Sequence, residues 1–134
     1  MPTRVPCVGA IVLDERGRLL LIRRGQEPAK GLWSIPGGRL HEGEDPRDGC
    51  LRELREEADI TGTVVREVGT IEREAPTGDT YVIADFLVVP DPGQEPHAGD
   101  DATDACWATR AELLALPCSP GLVQALTDWD VLPR

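Results

Sequence analysis

Between Gly37 and Ile60 the chain reads GGRLHEGEDPRDGCLRELREEADI, and this run constrains the fold more than any other. Asp45 suits a helix N-cap, Pro46 the first helical position, and Asp48 adds negative charge to the first turn. Leu51, Leu54 and Ala58 recur as one apolar stripe. At 3.6 residues per turn this stripe points away from Glu53, Glu56 and Glu57, which share the opposite face. The helix must therefore dock on a core while holding three carboxylates at an open surface. Like charges at these spacings repel by about 0.2–0.5 kcal/mol per pair. A solvated acidic face is one reading; a face built around a hard divalent cation, which binds carboxylate oxygens and leaves room for phosphates, is the other.

The neighbouring residues favour the second reading. Gly37-Gly38 is expected to form a turn that admits a ligand or metal to main-chain carbonyls. Glu44 and Arg52 are placed to pair across the loop-to-helix junction. The whole pattern resembles the signature of the Nudix hydrolase family, G-x5-E-x7-R-E-U-x-E-E-x-G-U with U a bulky apolar residue. Gly38, Glu44, Arg52-Glu53-Leu54, Glu56-Glu57 and Ile60 fit it. Asp59 stands where the family has glycine; that position ends the helix, where a left-handed residue is common and Asp is tolerated.

The resemblance implies an α/β fold, an α/β/α sandwich with a mixed sheet, over a single domain spanning 1–134. It implies hydrolysis of the pyrophosphate linkage in nucleoside diphosphate derivatives. Glu53, Glu56, Glu57 and the Gly38 carbonyl become the expected ligands of Mg2+, with Mn2+ a substitute. Arg52 and Glu44 become the residues that orient them, and Gly37-Gly38 part of the substrate site. Glu57, Glu95, Asp100 and Asp101 are alternatives for the general base, the last three on a loop able to close over substrate. Arg23 or Arg24, at the end of a strand, is expected to meet phosphate, and Trp33 to stack on a base or pack in the core. Trp107 and Trp129 are assigned to packing.

Pro76, sixteen residues after Ile60, is similar to a feature of the ADP-ribose-hydrolysing branch of the family. It also reads as an ordinary turn proline beside Gly78-Asp79. ADP-ribose or a nucleotide sugar is the first substrate reading. A nucleoside triphosphate pyrophosphatase is the alternative, and a non-catalytic nucleotide-binding regulator the third.

A net charge of −10 argues against a nucleic-acid partner, and no apolar run is long enough to span a membrane. MPTRVPC shows no secretory signal, and four scattered cysteines fit reduced thiols in a cytoplasm. Cys50 reads as a packing residue on the helix. The resemblance also suggests a homodimer.

Elsewhere, Val8–Leu13 and Leu19–Arg23 read as a hairpin across Asp14-Glu15-Arg16-Gly17. Thr63–Ile71, Thr80–Val89 and Ala105–Trp107 read as further strands. Thr109 and Glu112 form a capping-box signature, and Ser119-Pro120 is expected to start a last helix reaching Trp129.

Overall fold

The structure is a computed structural model that describes residues 2–134. Its central strand β1 (Arg4–Val12) pairs in parallel with β6 (Thr80–Pro90) and antiparallel with the short β4 (Gly37–Arg39). β5 (Gly62–Glu74) closes the other side, antiparallel to β6, giving a mixed sheet of order β4-β1-β6-β5. A second, antiparallel sheet has the order β3-β2-β7, from Trp33–Ser34, Leu19–Arg24 and Ala102–Ala108.

Three helices cover the sheets. The glutamate-bearing helix α1 (Pro46–Ala58) closes a core containing Val8, Ala10, Leu20, Leu54 and Phe86. On the opposite face, α2 (Arg110–Ala115) and α3 (Leu122–Asp128) close a second core containing Ile11, Leu21, Leu113 and Leu126. Successive β1 residues thus enter different cores, so the strand is apolar on both sides, as a sheet covered on both faces requires. This is the expected α/β/α arrangement, with the mixed character confined to the four-stranded sheet. Among the described residues no helix is long and apolar enough to cross a membrane.

Several local expectations are corrected. The proposed hairpin is reduced to one bridge, Leu13 to Leu19, because β4 and β6 already occupy both edges of β1. Asp14 still organises the turn, its carboxylate accepting from the Arg16 and Arg18 N–H groups. Gly37-Gly38 is a strand rather than a turn, and neither glycine has a positive φ. β5 is longer than expected and carries two bulges, where its register to β6 slips at Val65 and Val68. The last helix starts two residues late: Gly121, in the left-handed region, is its N-cap, and Ser119 caps nothing with its side chain.

Candidate active site

Helix α1 starts as its sequence requires, with Asp45 accepting from Arg47 N at 2.8 Å and Pro46 in the first turn. Cys50, Leu54 and Ala58 are fully buried, so Cys50 belongs to the docking stripe and Leu51 lies at its margin. Burial of Leu54 alone contributes about 1.5–3 kcal/mol. Burial also pushes the Cys50 thiol up to about 12, which leaves it unreactive packing. The helix ends on Asp59 at φ 57°, ψ 39°, the left-handed cap expected of that position.

The carbonyls of the last turn are taken up by the long loop before β7. His97, Gly99 and Asp100 donate their N–H groups to the carbonyls of Ala58, Glu57 and Glu56. This loop is therefore fastened to the glutamate helix, contrary to the expectation of a segment free to close. Gly99 is required there, because a Cβ would meet the Glu56 carbonyl.

Arg52 organises the acidic face. Its Nε and Nη2 donate to the two oxygens of Glu44 at 2.8 and 2.9 Å, a bidentate pair. Nη1 reaches Glu53 at 2.8 Å and Glu56 at 3.0 Å, and Nη2 also reaches the Arg39 carbonyl at 3.1 Å. All five guanidinium donors are thus used. The Arg52 bonds, then the His41 N–H, hold the Glu44 carboxyl down to about 2.

Glu57 points the other way, into a cleft, and accepts from Gly37 N at 3.1 Å. Burial pushes its carboxyl up to about 8; the Gly37 N–H opposes that shift and the neighbouring Glu53 carboxylate adds to it. Among the described residues no three acidic, imidazole or thiol groups already converge as a metal cluster, since Glu53 and Glu56 lean on Arg52. The donors nevertheless fit a hard cation. A buried carboxylate beside a second one carries negative charge that a proton or a cation must neutralise. Gly38 lies against Glu53: a Cβ there would sit 2.6 Å from its Oε1.

The cleft, of about 910 Å3, runs from Glu53 and Glu57 past Gly37-Gly38 to the underside of α3. Arg24 lines it and donates to the Pro28 carbonyl, whereas Arg23 is exposed on the other side and bonds the Gly31 carbonyl. Of that pair, only Arg24 faces the cleft. Trp33 is half-buried against the second core and does not line the cleft, so the packing alternative describes it. Of the loop acids, Asp101 borders the cleft, while Glu95 lies on another face and Asp100 is exposed. Pro76 is an exposed residue of the β5–β6 turn and lies outside the cleft lining.

Sequence reasoning missed Arg39, Arg73, Asp85 and Ser119, and it gave Trp129 to packing alone; all five border the cleft. Arg39 donates to the Tyr81 hydroxyl at 3.1 Å and its guanidinium lies 5.3 Å from that ring's centre. Only Asp85 carried a sequence signal, as a lone acid in the apolar run TYVIADFLVV.

A helix-borne carboxylate cluster, held by one arginine at the mouth of a cleft in an α/β/α sandwich, defines a class of phosphate-handling proteins. The family model for the NUDIX domain matches residues 3–128, and the chain belongs to the Nudix hydrolase family. It is 38% identical to a CTP pyrophosphohydrolase of Escherichia coli K12 over 126 residues, covering 93% of this chain and 91% of that one. It is 30% identical to an ADP-ribose pyrophosphatase of Methanocaldococcus jannaschii over 94 residues, 70% of this chain and 56% of that protein. It spans only 20% of a nucleoside triphosphate pyrophosphatase/Nudix hydrolase fusion protein of Bifidobacterium longum. Among solved structures, the MutT protein of Methanosarcina mazei Go1 superposes with a TM-score of 0.83 at 22% identity, covering 96% of this chain and 94% of that one; this likeness concerns the fold.

Proposed function

We propose that the protein hydrolyses a pyrophosphate linkage in nucleoside diphosphate derivatives, with nucleoside triphosphates as its first substrates. The observation that carries this reading is the placement of Arg52-held carboxylates at one end of a cleft whose other end offers Leu122, Leu126 and the Trp129 indole beside polar groups. A phosphate chain suits the first end and a nucleoside the second. Similarity to the E. coli CTP pyrophosphohydrolase along nearly the whole of both chains supports triphosphates. ADP-ribose or a nucleotide sugar is the second reading, supported by the M. jannaschii relative; Pro76, exposed in its turn, adds nothing to it.

Glu53, Glu56, Glu57 and the Gly38 carbonyl would hold Mg2+, or Mn2+ in its place. Bound there, the cation would polarise phosphoryl oxygens, acidify water and neutralise the leaving phosphate. Arg52 keeps Glu53 and Glu56 in position, and Glu44 keeps Arg52 in position. Arg24 supplies positive charge on the cleft wall. Of the four acids weighed as the general base, Glu57 and Asp101 line the cleft and can take a proton from attacking water.

The test is turnover with Mg2+ of a panel of nucleoside triphosphates, ADP-ribose, nucleotide sugars and dinucleoside polyphosphates, with products identified. Triphosphates cleaved to monophosphate and pyrophosphate would support the first reading. A preference for ADP-ribose would move the second ahead. Absence of turnover from folded, metal-supplied protein would leave a nucleotide-binding regulator.

A further inference from the structure

The register of the mixed sheet sets out the floor of the cleft in rows. One row runs from Gly37 on β4 through Asp85 on β6 to Gly69 on β5, where the Trp129 indole rests. Arg39 on β4 begins the next row, level with Cys7, and Tyr81 stands in the row after that. Tyr81 is four residues from Asp85 along β6, or about 13 Å at 3.3 Å per residue. The contact between Arg39 and Tyr81 thus lies away from Trp129, and Arg39 directly follows Gly38, whose Cβ position meets Glu53. Arg39 is held there without being neutralised. One of its five N–H donors is spent on the Tyr81 hydroxyl, and the guanidinium rests over the Tyr81 ring. Among the described residues no carboxylate pairs with it. Asp79, whose charge acts on it, already accepts from Thr3 N and the Thr77 hydroxyl, and Glu72 is paired with Arg4. In a chain of net charge −10, a fixed guanidinium that lines the cleft with donors to spare is a seat for an anion.

We infer that Arg39, its guanidinium fixed by Tyr81, binds the terminal phosphate of a nucleoside triphosphate and so sets a preference for triphosphates over diphosphates. The inference deepens the triphosphate reading above and rests on it. With the nucleoside at the Trp129 end and the phosphate chain at the carboxylates, the last phosphate is the group that reaches Arg39, and a diphosphate stops short. A guanidinium fork matches two oxygens of such a phosphate, which a point charge cannot do. Tyr81 accepts from Arg39 and acts through it, which makes it a positioning residue. Arg73, opposite Tyr81 on β5, is turned toward Gly121 at the start of α3 and takes no part.

Calorimetry with the α,β-methylene analogues of CTP and CDP in Mg2+ tests this without turnover, because the bond between the first two phosphates cannot be hydrolysed. The wild type should bind the triphosphate analogue at least about 10-fold more tightly than the diphosphate. Arg39→Gln should bring the two affinities together, and Arg39→Lys should fall between. Arg4→Gln, which removes an exposed charge from the same end of the sheet, should leave the ratio unchanged. Tyr81→Phe should lower the ratio about threefold in the wild type and not at all in Arg39→Gln, since it acts through that arginine. Equal affinities in the wild type would overturn the inference, as would Arg39→Gln keeping the ratio or Arg4→Gln losing it equally. A Tyr81→Phe effect that persists in Arg39→Gln would overturn the positioning role. Failure of the triphosphate reading shows separately, as a turnover panel without triphosphate cleavage.

Discussion

Gly38→Ala separates activity from stability in a way that the site geometry makes specific. The new Cβ would stand 2.6, 2.7 and 2.8 Å from Oε1, Cδ and Oε2 of Glu53, while ordinary contact begins near 3.4 Å. The carboxylate must therefore retreat by about 0.8 Å (3.4 minus 2.6). It is the far end of a flexible side chain, so the fold has little to lose. The main cost is a weakened bond from Arg52 to Glu53, about 0.5–1.5 kcal/mol, or a fall of roughly 3–5 °C in Tm. Activity should suffer far more, because a misplacement near 1 Å at a reacting centre costs on the order of 100-fold. The variant retains the Gly38 carbonyl, so the loss would report on Glu53. Gly37→Ala is the contrasting control: its Cβ would meet the Val8 carbonyl and the Gly9 Cα, 3.0 Å away. Backbone cannot step aside as a side chain can, and overpacking of this kind costs about 1–3 kcal/mol. Thermal melts and Mg2+-dependent kcat/KM of both variants check the pair. A Gly38→Ala protein with wild-type turnover would refute the placement of Glu53 in the reaction.

Other perturbations follow from the same geometry. Glu56→Gln should lower kcat at least about 100-fold while leaving the melt nearly unchanged, since this side chain lies at the partly exposed rim; unchanged turnover would remove Glu56 from the ligand set. Arg52→Lys offers three donors from one point in place of a fork holding Glu44, Glu53 and Glu56, so Mn2+ affinity should fall about 10–100-fold by titration. Asp59→Gly should raise stability by up to about 1 kcal/mol, because the left-handed cap at φ 57° suits glycine, with activity kept. Asp85→Asn should change how stability depends on pH. The raised folded value means that wild-type stability is full below about 3.8 and is lost as pH rises toward about 7. At pH 8 the variant should be more stable by up to about 4 kcal/mol. Arg73 from β5 opposes the shift of Asp85, and Cys50 lies across the sheet on the α1 side; both remain in the variant. Parallel curves for the two proteins would show that Asp85 is not held neutral.

The sequence by itself determined the parts whose physics is local. The N-cap at Asp45, the buried stripe of α1, the left-handed end at Asp59 and the Glu44–Arg52 pair all depend on spacings within one helix and its approach. The capping box of Thr109 and Glu112 formed for the same reason. Resemblance to the family signature rested on this segment too, which is why the acidic face was legible. The tertiary structure decided whatever depends on residues far apart in the chain. β1 could not pair with β2 as a hairpin, because β4 and β6 hold both of its edges. Gly37 and Gly38 serve close approach rather than turning, a role visible only once β1 and Glu53 lie against them. Which of two adjacent arginines faces the cleft followed from strand direction and a bulge between them. Asp85 stood out in the sequence as an acid among apolar residues, but its burial came from its β1 and β5 neighbours and from α3, which lie far from it in the chain. Spacing along the chain specifies a helix face; a cleft is made by what folds across from it.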